Sequence, residues 1–154
     1  MTNIEKAGLL RELIRYLERK FGILEDGELS CCGISMAQCH ALVEIGRAGS
    51  ISLIDLAKLL DLDSSTMSRT VNGLVRNEIV ERELDPGDRR YVTIKLTSKG
   101  MKSFDEIESN MRSYFLNILE AIPNNKQEQV IESMQLLLNA MTKLSHFDGG
   151  GLKS

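Results

Sequence analysis

Apolar positions first recur with a helical period over residues 4–21, at Leu9, Leu10, Leu13, Ile14, Leu17 and Phe21, with arginine and glutamate between them. Gly22 is expected to end that helix, and Glu25-Asp26-Gly27-Glu28 reads as a polar connector. Ser35-Met36-Ala37-Gln38 has the form of a capping box, in which the serine hydroxyl takes the third amide and the glutamine reaches back. A second helix begins there, with Met36, Cys39, Leu42, Val43 and Gly46 inward and a break between Gly46 and Gly49. Ile51 is a short extended link. Ser52, with Asp55 three residues on, opens a third helix whose apolar positions are Leu53, Leu56, Ala57, Leu59 and Leu60. Asp61-Leu62-Asp63 forms a tight turn, and Asp63 or Ser64 caps a fourth helix that runs to about Glu78.

The period then changes from helix to strand. Val80, Arg82 and Leu84 alternate, Asp85-Pro86-Gly87-Asp88 turns the chain, and Val92, Ile94 and Leu96 alternate on the return. Thr97 caps a long helix to about Ala121, Pro123 breaks it, and a last helix carries Val130, Ile131, Met134, Leu137, Leu138, Met141 and Leu144 on one side. The expected fold is mainly α with a small β-hairpin wing: a winged helix-turn-helix with long terminal helices. The apolar stripes of those helices exceed what one small domain covers, which predicts pairing with a second chain. The expected division is an N-terminal dimerisation helix and connector (1–34), a winged helix-turn-helix (35–100), C-terminal dimerisation helices (101–145) and a frayed tail (146–154).

Composition narrows this picture. Of 154 residues, 42% are hydrophobic but only 5% aromatic, with no Trp, so the core must come from Leu, Ile, Val and Met. No stretch approaches the roughly 20 apolar residues of a membrane span, and the first residues lack a basic region followed by an apolar run, so a cytoplasmic protein is expected. The net charge of -3 is unevenly spread. Residues 64–102 hold eight bases and five acids, a net +3, and the remainder carries -6. A basic module within an acidic chain is an electrostatic footprint for DNA binding.

The fourth helix sharpens that reading. At roughly 100° per residue, Met67, Val71, Leu74 and Glu78 gather on one side, while Ser65, Ser68, Arg69, Asn72 and Arg76 share the opposite one. The second group offers hydroxyl, amide and guanidinium groups and no acid. Arginine reaches guanine O6 and N7, asparagine pairs with adenine, and serine adapts to either. Ser64, Ser65 and Thr66 at the helix start would present free backbone amides to a phosphate. A solvated polar face is the bland alternative, but such faces usually mix Glu, Lys and Gln. In the hairpin, Asp88 can hold the guanidinium of a neighbouring arginine, and Arg89 and Arg90 at the tip suit a narrow minor groove.

Residues 85–100, Asp85-Pro86-Gly87-Asp88-Arg89-Arg90-Tyr91-Val92-Thr93-Ile94-Lys95-Leu96-Thr97-Ser98-Lys99-Gly100, resemble the wing signature of the MarR family of bacterial transcription regulators. Residues 56–75, with Ser64-Ser65-Thr66-Met67-Ser68-Arg69 opening the recognition helix, are similar to that family's helix-turn-helix. The likeness spans roughly residues 4–144. It implies a homodimer whose first, fifth and sixth helices interlock, and a double-stranded, pseudo-palindromic operator with one winged module in each half. It implies Asp88 and Arg90 as wing acid and arginine partner, with Arg89 beside them. It also implies effectors, a small molecule or an oxidant, that change half-site spacing.

Cys31-Cys32-Gly33 and Cys39-His40 depart from the common family pattern. Three readings stand: packing residues, a thiol sensor of oxidants or electrophiles, or a soft-metal site built from Cys31, Cys32, Cys39 and His40. No cofactor is required, and a soft metal ion at the cysteines is the one candidate. The leading expectation is a homodimeric, sequence-specific DNA-binding regulator, a repressor released by a small ligand, soft metal or thiol modification. The alternatives are a thiol- or metal-dependent enzyme on the same cysteines and a winged module that binds only protein. The chain lacks a Gly-rich phosphate loop and a His-Glu-x-x-His motif, so no enzymatic activity is expected.

Overall fold

The computed structural model describes residues 1–26, 33–88 and 91–145. Its order is α1 (Asn3–Asp26), α2 (Met36–Ala48), β1 (Ser50–Ser52), α3 (Leu53–Leu59), α4 (Ser64–Arg76), β2 (Val80–Leu84), β3 (Val92–Leu96), α5 (Ser98–Glu120) and α6 (Asn124–Ser145). The chain divides into two compact units, residues 1–111 and 112–154. Among the described residues no helix is long and apolar enough to cross a membrane.

The capping box of α2 forms as expected: the Gln38 amide donates to Ser35 Oγ at 3.2 Å, and the Ser35 amide to Gln38 Oε1 at 3.0 Å. The Ser52 hydroxyl likewise accepts from the Asp55 amide at 3.0 Å and starts α3. The C-terminal end of α3 is made without glycine. Asp61 takes a left-handed φ of 52°, its amide donates to the Lys58 carbonyl, and the Leu62 amide donates to the Ala57 carbonyl at 2.9 Å. That is a Schellman pair, and it reverses the chain within three residues. Asp63 then caps α4, its carboxylate accepting from the Thr66 hydroxyl at 2.5 Å and from the Thr66 amide at 3.0 Å. The hydroxyl bond first, and the amide bond after it, favour the ionised form and hold the Asp63 carboxyl below its ordinary range.

The core of the first unit comes from aliphatic side chains of every element between α2 and α5. Leu42, Ile45, Leu56, Met67, Val71, Leu74 and Ile94 are fully buried, and Ala41, Ala57, Ile79, Val80 and Ile107 complete the cluster. No aromatic belongs to it; Phe104 packs on its margin. The sheet has the order β1-β3-β2, all antiparallel.

Four local expectations are corrected. Gly22 does not end α1, which continues to Asp26; one glycine inside a helix costs only about 1 kcal/mol. Ile51 is not a bare link but the centre of β1, paired with Ile94. Leu59, counted among the apolar positions of α3, is exposed, and the helix buries Leu56 and Ala57 instead. Glu78 does not extend the inner face of α4: it lies beyond the helix at a φ of 59°, where the Ile79 amide bonds the Leu74 carbonyl in a second Schellman end. Beside that end, a Cβ at Gly100 would overlap the Ile79 carbonyl oxygen.

Two outcomes are expected in thermal and urea denaturation of the full chain. Gly100→Ala forces backbone apart and lowers stability by about 1–3 kcal/mol, whereas Gly8→Ala, which meets nothing within 4 Å, leaves stability equal or higher. Because the folded Asp63 carboxyl titrates below its unfolded value, its capping contribution is complete above the ordinary carboxylate range. It is lost as pH falls through the lowered folded value. Asp63→Asn keeps the cap and flattens this acid-side dependence; Asp63→Ala loses cap and dependence together, seen as a lower melting temperature at neutral pH.

Candidate nucleic-acid interface

The two sides of α4 separate as the spacing predicts. Met67, Val71 and Leu74 are fully buried on the core, while Ser64, Ser65, Arg69, Asn72 and Arg76 are exposed, and Ser68 is half-buried. Packing fixes the helix on its inner side at more than the aliphatic positions. Gly73 is buried, and a Cβ there would overlap the Gln38 side chain, so the capping box of α2 sits directly on α4.

The helix start differs from the expectation of free amides at Ser64, Ser65 and Thr66. Thr66 commits both its amide and its hydroxyl hydrogen to Asp63, and a carboxylate stands at that end. Negative charge there favours the helix dipole and opposes an incoming phosphate. Thr66 Oγ1 instead faces Arg69, whose Nη2 lies 3.5 Å away. At that length the contact is weak, and the Arg69 guanidinium remains open to other partners.

Asn72 has a partner that was missing from the expected site. The Arg82 guanidinium donates to Asn72 Oδ1 from β2. The sheet register explains the approach: Val80, Arg82 and Leu84 pair with Leu96, Ile94 and Val92, and Val80 and Ile94 are buried. Arg82 therefore occupies the sheet face that packs on the helices. A charged residue at an inward position of an alternating strand was the available signal in the sequence. The opposite face carries Glu81, Glu83 and Lys95, with Lys95 Nζ 2.6 Å from Glu83 and 3.4 Å from Glu81. The bonds and charges of Glu83, then Glu81, raise the Lys95 ammonium above its usual range.

The wing turn closes with the Asp85 amide donating to the Tyr91 carbonyl at 2.9 Å and the Gly87 amide to Asp85 Oδ1 at 2.8 Å. Asp88 is half-buried, and its carbonyl accepts from the Tyr91 amide. Arg89 and Arg90 lie outside the described residues, as do Cys31 and Cys32. Cys39 is half-buried against the core and His40 is exposed on α2; among the described residues no three His, Cys, Asp or Glu side chains are grouped to hold a metal ion. An open cleft lined by Gly33, Asn77, Ile79, Lys99, Lys102, Ser103 and Glu106 lies where α5 meets the end of α4.

The MarR family model matches residues 34–92, the stretch that runs from α2 to the start of β3. The HTH-type transcriptional regulator BilQ of Clostridium symbiosum is 26% identical over 126 residues, covering 82% of this chain and 86% of that protein. The multiple antibiotic resistance protein MarR of Escherichia coli is 35% identical over 91 residues, covering 59% of this chain and 63% of its own. The fold matches that of Streptococcus pneumoniae FabT, solved in complex with DNA, at a TM-score of 0.77 and 20% identity, over 88% of this chain and 99% of that one. Residues 34–92 thus match the MarR family model, and the chain as a whole is similar to transcription regulators of that family and has the winged-helix fold of its structural neighbours.

Proposed function

We propose that this protein is a homodimeric, sequence-specific DNA-binding repressor that reads a pseudo-palindromic operator with α4 and the wing. One observation carries the reading: the outward side of α4 is a continuous strip of serine, asparagine and arginine, followed in the chain by a hairpin whose turn sequence includes Arg89 and Arg90. Side chains of this kind bond base edges and phosphates, and an arginine at a wing tip suits the minor groove. The DNA complexes of FabT and of Staphylococcus aureus MepR have the same fold, which supports the assignment. An enzyme built on the thiols finds no such support, since the named relatives are transcription regulators.

Dimerisation follows from apolar surface left uncovered in the single chain. Leu9, Leu10, Leu13, Leu17 and Phe21 of α1 are exposed, and α6 buries none of its residues, leaving Val130, Ile131, Met134, Leu138, Met141 and Leu144 open to water. A second copy covers such stripes in a closed two-fold arrangement, and two-fold symmetry requires two half-sites. Relief of repression by a small ligand, a soft metal or thiol modification belongs to the same proposal. The cleft beside Asn77 and Lys99 touches both the end of α4 and the start of α5, so a ligand there acts on the element that carries α4.

Arg69→Ala is expected to lose discrimination at one position of each half-site by roughly ten-fold, in binding assays on single-base operator variants. Arg90→Ala is expected to weaken all sequences alike and to lower the slope of log affinity against log salt by about one per wing. Wild-type behaviour by both variants refutes the assigned roles. In sedimentation, Ile131→Glu together with Leu138→Glu is expected to convert dimer to monomer and remove operator binding while the winged module stays folded by circular dichroism.

A further inference from the structure

The bond between Arg82 and Asn72 changes what Asn72 can recognise. A guanidinium carries donors and no acceptor, so only the amide oxygen of Asn72 can face it. With Oδ1 held by Arg82, the carboxamide turns its NH2 group away from the guanidinium, and a cation stands beside the oxygen. An asparagine that reads adenine must accept from the adenine amino group through Oδ1 while donating to N7. Here Arg82 already takes one lone pair of that oxygen, so the adenine amino group would have to share Oδ1 with a guanidinium and approach its hydrogens. Guanine offers acceptors at both O6 and N7 and suits the pair.

We propose that Arg82 is a positioning residue that holds Asn72 Oδ1 and turns the Asn72 NH2 outward as the favoured contact, so that the base facing Asn72 is selected as guanine over adenine. The proposal rests on reading α4 as the DNA-facing helix. It gives β2 a part in base selection: its inward register brings Arg82 to α4, and the α4–β2 turn, closed by the Schellman bonds at Glu78 and Ile79, fixes the distance between them. Arg82 and Asn72 are both exposed, so substitution leaves the core intact.

The test uses the full chain and its Arg82→Ala, Arg82→Lys and Asn72→Ala variants. Base preference is read by selection from a randomised operator library at fixed salt, together with the salt dependence of binding. The Asn72 side-chain amide is followed by NMR without DNA. Wild type is expected to select guanine at one position per half-site, and Asn72→Ala to lose that preference. Arg82→Ala is expected to shift that position toward adenine by roughly ten-fold. Arg82→Lys, which keeps charge but not the planar fork, should shift it similarly with the salt slope unchanged. Unaltered base preference in Arg82→Ala overturns the proposal. Uniform weakening with the salt slope reduced by about one also overturns it, by making Arg82 a phosphate contact. If wild type prefers no sequence and Arg69→Ala behaves as wild type, the DNA reading fails and the role of Arg82 falls with it. A moved Asn72 amide signal in Arg82→Ala then shows the pair to be structural only.

Discussion

The backbone of Ile79 joins three elements, and the geometry of the winged module depends on it. Its amide closes α4 by donating to the Leu74 carbonyl. Its carbonyl accepts from the Thr97 amide at 3.0 Å and the Thr97 hydroxyl at 3.1 Å, at the entry to α5. The Ile79 side chain is buried in the core and leads directly into β2. Gly100 has no side chain, so α5 comes down onto this carbonyl without a gap. Lys99 adds a bond from Nζ to the Asn77 carbonyl at 2.9 Å, and the Thr97 hydroxyl also reaches the Glu78 carbonyl. The end of the recognition helix, the root of the wing and the start of the long helix are thus held as one joint. A rotation of the first part of α5 must carry α4 with it.

The same joint shows why much of the fold was legible in the sequence. Capping chemistry is local: Ser35 with Gln38, Ser52 with Asp55, and Asp63 with Thr66 each declare a helix start within four residues. Burial on α4 also followed from periodicity, because Met67, Val71 and Leu74 have a single apolar side to turn inward. What the pattern could not carry were features without a residue signature. Both Schellman ends use Asp61 and Glu78 where glycine is the usual occupant; the Asp61–Asp63 turn was still read from its residues, but nothing marked the end of α4. The third strand, β1, is three residues long and depends wholly on pairing with β3 across the sheet.

The interface was legible to the same extent and for the same reason. The residues of the α4 strip share one face because helix geometry puts them there. Two of their contacts depend on other elements or on proton positions that spacing does not reveal. Asp63 ties down Thr66 and sets a negative charge at the helix start. Arg82 reaches Asn72 across the α4–β2 turn, which a helical wheel drawn for α4 alone leaves out. A polar strip read from a wheel describes what faces outward; its donor and acceptor pattern depends on neighbours from other elements.

Charge counting needs the same correction. Residues 64–102 hold eight bases, yet several are committed within the protein. Lys95 lies between Glu81 and Glu83, Lys99 is bonded to the Asn77 carbonyl, and Arg82 is turned onto Asn72. A base next to two carboxylates contributes little net field at a distance greater than their separation, and a phosphate approaching Lys95 must also approach both acids. Lys95 and its two glutamates share the outer face of the wing sheet, while Arg69 and Arg76 belong to the outward strip of α4. That sheet face holds more negative than positive charge, so it offers a phosphate backbone nothing. The other five are Arg69 and Arg76 of α4, Lys102 of α5, and Arg89 and Arg90 of the turn sequence. On the reading proposed above, this distribution favours a duplex lying along α4 over one lying against the flank of the sheet.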